Sequence, residues 1–166
     1  MTRFMVKGPY EIEVQSNKGG KIITSDEATR FWERNPTLAE EKGCYVFGLR
    51  ASKGMKPIYV GKATISFSKE VFTSHKLVKY ITALSNSAKG TPVLFFLCLP
   101  RAKGPVNKLH IDELESYLIQ AGLKANSNLL NDKKTKIESW SIGGILRDGQ
   151  GKPTRSAQEF KGLMDF

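Results

Sequence analysis

Seven apolar residues in a row, Val93 to Leu99, stand between Pro92 and Pro100. The run is too short for a buried helix, is bounded by residues that resist helix, and has no polar position to offer solvent. It therefore predicts a strand covered on both faces at the centre of a sheet. Such a strand needs partners on its edges and layers above and below it. Two further apolar runs qualify as partners, at about 43–49 (GCYVFGL) and 56–61 (KPIYVG), joined by the polar turn Arg50 to Lys56. Tyr10 to Val14 alternates apolar and polar as a half-exposed strand does, and Asn17-Lys-Gly-Gly20 turns it into a second strand, Lys21 to Thr24.

Helical spacing supplies the covering layers. Ser25 or Asp26 caps a short helix through Phe31 and Trp32, which Asn35-Pro36 ends. Val71, Val78 and Ile81 recur at helical intervals in a helix from Phe67 to about Leu84. A loop with Lys103, Pro105 and Lys108 leads to another helix from about Ile111 to Ala121, stopped by Gly122. After a glycine-rich stretch, Gly143 to Gly151, Thr154 or Ser156 caps a last helix carrying Phe160 and Leu163. The expected class is α/β, in its α+β form: a small, largely antiparallel sheet flanked by helices. With 166 residues the chain fits a single domain, 1–166, able to bury a core without staples.

Charge narrows the partner. Twenty-six Lys and Arg against sixteen Asp and Glu leave +10, which favours an anionic partner, nucleic acid foremost. Cys44 and Cys98 both lie in strand-like apolar runs, where a thiol acts as a small hydrophobe, so no disulfide framework is expected. The first residues scatter charges where a signal peptide needs an apolar stretch, and no run approaches the ~20 apolar residues of a membrane span. The expectation is a cytoplasmic protein without membrane attachment.

Within the Ile111–Ala121 helix, Ile111, Leu114, Leu118 and Ile119 line one face, and Glu115 falls inside that face while Asp112 and Glu113 point elsewhere. A carboxylate in an apolar stripe is paired, protonated or metal-bound. Upstream, Gly43-Cys44-Tyr45 opens one predicted strand and Tyr59-Val60-Gly61-Lys62 closes the next, so a hairpin brings two phenols close together. His75 follows on the next helix, and Asn131 comes after Leu129-Leu130.

That ordered set resembles the GIY-YIG nuclease family over about residues 43–131, leaving 1–42 and 132–166 as additions packed on a catalytic core. The resemblance implies a magnesium-dependent endonuclease that hydrolyses phosphodiester bonds in DNA, with manganese as another acceptable metal. Glu115, in an E-x-x-L-I context, inherits the metal and Tyr45 the general base; Tyr59 holds the phosphate or a water, with Lys62 contributing charge. His75 inherits a phosphate or water contact, and Asn131 the amide that holds the site together. The family also carries an arginine shortly before the histidine, which clamps the scissile phosphate. No arginine occurs between Arg50 and Arg101. Counting from Tyr59 puts Lys69 there, and counting back from His75 puts Val71 there.

For nucleic-acid binding, Lys76 and Lys79 on the first core helix join Lys133, Lys134 and Lys136 after Asn131 as candidate phosphate contacts, suited to salt-sensitive, sequence-independent attraction. Two alternatives accompany the nuclease: a module that keeps the scaffold and binds nucleic acid without catalysis, and a basic interaction protein with no nucleic-acid role.

Overall fold

The computed structural model describes residues 2–52, 54–86, 90–99, 107–136, 142 and 152–164. The expected Lys103–Pro105 loop, Trp140 and the Gly143–Gly151 stretch lie outside these. The chain forms two compact units, Met1–Thr135 and Lys136–Phe166.

In the first unit, β1 (Met5–Glu11), β4 (Gly43–Ala51), β5 (Gly54–Ala63) and β6 (Thr91–Cys98) make one antiparallel sheet in the order β1-β6-β4-β5, while β2 (Gln15–Asn17) and β3 (Gly20–Ile22) form a separate hairpin. The strand between the prolines is central, as its composition requires, with β1 on one edge and β4 on the other. β5 is an outer strand. The β4–β5 hairpin is tighter than expected, because pairing continues through Arg50↔Met55 and Ala51↔Gly54. The first strand lies earlier than the expected 10–14: the ladder with β6 runs over Met5–Glu11, and Ile12 gives its N–H to the Pro92 carbonyl before the chain leaves the sheet. Side-chain alternation missed it because Gly8-Pro9 interrupts the pattern while backbone pairing persists on both sides.

The helices are α1 (Ser25–Arg34), α2 (Pro36–Ala39), α3 (Phe67–Glu70), α4 (Ser74–Ser85) and α5 (Lys108–Ala125), with α6 (Arg155–Met164) in the second unit. Thr24, rather than Ser25 or Asp26, caps α1, in a reciprocal box with Glu27. The expected 67–84 helix is two helices, because Thr73 is extended at the α4 N-cap. Val71 is buried in the core, and its carbonyl accepts the Tyr80 hydroxyl at 2.9 Å. Val78 is exposed; the buried face of α4 is Tyr80, Ala83 and Leu84. α5 runs past Gly122, where a missing Cβ lets Leu129 pack against the helix, and ends at Asn126, whose amide donates to the Pro57 carbonyl at 2.7 Å. Thr154 accepts from the Ala157 N–H at the start of α6.

Strand alternation gives the β4–β5 hairpin two faces. Tyr45, Phe47 and Tyr59 point to one, covered by α3 and α4 and joined to the main core with Phe67 and Tyr80. Cys44, Val46, Val60 and Lys62 point to the other, where Val60 packs with Ile119 and Leu129, and Cys44 donates to the Ile111 carbonyl of α5.

Candidate functional site

The two signature glycines each have a physical cause. Gly43 has φ +139°, and a Cβ there would run into the Leu97 carbonyl of β6. Gly61 faces Tyr45 directly across the hairpin, and a Cβ there would collide with the phenol. The glycine of the second signature thus makes room for the tyrosine of the first. The Tyr45 and Tyr59 rings lie with centroids 6.3 Å apart, so the hairpin brings the phenols together as expected.

Their surroundings differ. Tyr45 is fully buried, and its hydroxyl meets no hydrogen-bond partner among the described residues. Burial, joined by Tyr80 and Tyr59, pushes its pKa far above the usual phenol value. Tyr59 is only partly buried; burial and the charges of Glu115, Asp132 and Glu70 push it up to about 12.

Lys76 and Lys79 are one helical turn apart on α4 and do not project freely into solvent. Each ammonium lies 5.7 Å from a tyrosine centroid, Lys76 over Tyr45 and Lys79 over Tyr59. Lys76 also bonds the Glu70 carbonyl and carboxylate at 2.8 and 2.9 Å. Lys79 bonds the Leu130 carbonyl and Asp132 at 2.7 Å each. These lysines therefore line the tyrosine pair instead of forming an outer phosphate-binding surface.

On the other face Glu115 is shielded, with its side chain 14% exposed, and it is paired. Its Oε2 lies 2.8 Å from Lys134 and 3.2 Å from Lys62. Asp112 joins the same cluster, contrary to the expectation that it points away. It is bonded to Lys62 and, at 2.8 Å, to Lys134. The i, i+3 spacing of Asp112 and Glu115 is the sequence signal for this. Hydrogen bonds from Lys134 and then Lys62 hold the Asp112 carboxyl down to about 2.

Asn131 ties the outer edge of β5. Its side-chain oxygen accepts the Val60 N–H at 3.0 Å, and its amide donates to the Val60 carbonyl at 2.8 Å. With the bond from Leu130 N–H to the Ile58 carbonyl at 2.8 Å, this segment extends the hairpin edge by side chain and backbone together. The tyrosines and Glu115 thus belong to opposite faces of the hairpin. From the other face the Glu115 charge helps raise the Tyr59 pKa.

The remaining candidates are peripheral. His75 is exposed at the start of α4, outside that helix's buried face of Tyr80, Ala83 and Leu84. Lys69 is exposed on α3. Val71, the other position for the missing arginine, is buried, so of the two only Lys69 can meet a phosphate. Lys133 is exposed beside Asp132, and Lys136 belongs to the second unit.

Among the described residues no group of three or more His, Cys, Asp or Glu side chains is gathered as a metal cage. Magnesium does not require one: it commonly takes one or two carboxylates, keeps waters and uses phosphate oxygens for the rest. Asp112 Oδ1 and Glu115 Oε2 both reach a single cationic centre, Lys134 Nζ, at 2.8 Å. Two carboxylates that share one cation fit that requirement. No family model matches the chain, and no curated protein or solved structure matches it either. Among the described residues no helix is long and apolar enough to cross a membrane.

Proposed function

We propose that the protein is a magnesium-dependent endonuclease of the GIY-YIG type acting on DNA, with its site around the outer edge of β5. The observation that carries the reading is the reciprocal fit of the two signatures. Gly61 accommodates Tyr45, Tyr59 stands beside it, and Asn131 fastens the β5 edge through Val60.

Glu115 and Asp112 would hold the divalent ion, which supplies charge neutralisation at the phosphoryl oxygens and assists the departing oxygen. The remaining work belongs to the chain. Lys69, exposed on α3, offers positive charge at the position where the resemblance expects the arginine, though lysine lacks its planar fork. Tyr59, at the edge, is placed to hold a phosphate oxygen or water. Tyr45 takes the base role that the resemblance assigns it. To do so its phenol has to be uncovered and its proton affinity lowered by the cations above it, beginning with Lys76.

A second reading rests on that burial: the scaffold binds nucleic acid without catalysis. Incubation of supercoiled plasmid with the purified protein, with and without magnesium, separates the two. Nicking that requires magnesium and disappears in Glu115→Gln and Tyr45→Phe is the expected result. Binding without cleavage in magnesium and manganese would favour the module, and failure to bind DNA even at low salt would overturn both.

A further inference from the structure

Lys134 is the one non-glycine residue with a left-handed backbone among those described, at φ 61°. A lysine adopts that region at an energetic cost, and such departures gather where function over-determines the chain. Its carbonyl accepts from the Gln120 amide at 2.7 Å, which fixes the backbone. Its ammonium reaches the Asp112 carbonyl at 3.2 Å and the Asp112 and Glu115 carboxylates at 2.8 Å each. Lys62 meets the same two carboxylates from β5. The four formal charges cancel. Both lysine side chains are about one-third exposed, at 30% and 34%, so they can swing on their stems while the carboxylates stay on α5.

A divalent ion added to this cluster would leave it doubly positive, with two ammonium groups released from their carboxylates beside the metal. An incoming phosphodiester would meet that surplus. We propose that Lys134, seconded by Lys62, is a counter-cation that occupies the Glu115 carboxylate, gives way to the divalent ion and then takes a phosphate oxygen of the nucleic acid. Metal and nucleic-acid backbone consequently bind cooperatively. This role rests on the metal reading of Glu115 proposed above.

The test uses the full chain as wild type, Lys134→Gln, Lys134→Arg and Glu115→Gln. Lys134→Gly, which suits the left-handed backbone, serves as a second neutral variant. Tb3+ luminescence measures metal affinity, and fluorescence anisotropy of a short DNA duplex with and without Ca2+ measures the coupling. Removing the competing ammonium should tighten Tb3+ binding about fivefold or more in both neutral variants. Ca2+ should tighten duplex binding by a similar factor in wild type and Lys134→Arg, with that gain lost in the neutral variants.

If Glu115→Gln abolishes Tb3+ binding but the neutral variants bind Tb3+ no more tightly than wild type, the Lys134 role fails and the metal reading stands. If Glu115→Gln binds Tb3+ as wild type does, the metal reading fails and the Lys134 role falls with it.

Discussion

The two faces of the β4–β5 hairpin are built from adjacent residues and behave as opposite materials. Tyr45, Phe47 and Tyr59 look into a layer of aromatic rings, where Phe47 stacks on Tyr80 at 4.0 Å and Phe67 meets Tyr45 and Phe96 edge-on. From the opposite face, Lys62 looks out to Asp112, Glu115 and Lys134, whose bonds are partly open to water. The first face is held by packing and tolerates little change of shape. The second is held by charge pairs, Lys62 and Lys134 with Asp112 and Glu115. A strand's two-residue period thus sets a packed aromatic layer and a cluster of charge pairs back to back on the hairpin whose β5 edge Asn131 fastens.

The largest effect should come from the packed face. Phe47→Ala removes the ring stacked on Tyr80 and is expected to cost about 3–5 kcal/mol of stability, measured by urea unfolding. A loss below about 1 kcal/mol would mean that this layer is not the tight core described. Gly61→Ala drives a methyl into the Tyr45 phenol and should cost about 1–3 kcal/mol. Asn131→Ala leaves both Val60 backbone groups without their side-chain partner and should cost about 1–3 kcal/mol, with faster amide exchange at Val60 as the local signature.

Tyr45→Phe sharpens the contrast in the other direction. It removes a buried hydroxyl that meets no hydrogen-bond partner among the described residues, so stability should be unchanged or raised by about 1 kcal/mol. Any loss of nicking in this variant is then chemical rather than structural.

The smallest effect belongs to the charged face. The Asp112 pKa is lowered by folding to about 2, below its unfolded value near 3.9. Its contribution is therefore complete above that unfolded value and fades as pH falls toward 2. Wild type and Asp112→Asn should differ modestly in urea midpoint at pH 6 and converge near pH 2. A gap that persists at pH 2 would show that the side chain acts by shape and not by charge.

Much of this arrangement was legible beforehand. The proline-bounded run at 93–99 located the central strand, and the paired aromatic-glycine runs located the hairpin beside it, because burial on both faces leaves a continuous apolar record. Glu115 stood out as a carboxylate on an apolar stripe. What escaped notice depends on backbone partners or on reach. β1 is defined by its ladder to β6 and not by its side-chain pattern, and the extended Thr73 breaks an otherwise continuous helical spacing. Lys76 and Lys79 read as surface charges, yet their long stems carry the ammonium groups inward over the rings. Asp112 shares a face with Glu115 by spacing, but the apolar stripe drew attention to the single carboxylate within it.

The proposed exchange at Glu115, in which a divalent ion replaces its lysine partners on the charged face, can be observed directly. The most direct measurement is a crystal of the protein grown with Mn2+ and a short DNA duplex, with the metal located by its anomalous scattering. An anomalous peak bonded to Glu115, with Lys134 withdrawn from it toward a phosphate oxygen, is the expected result. Glu115 still held by Lys134 and Lys62, with manganese absent from α5, would contradict it.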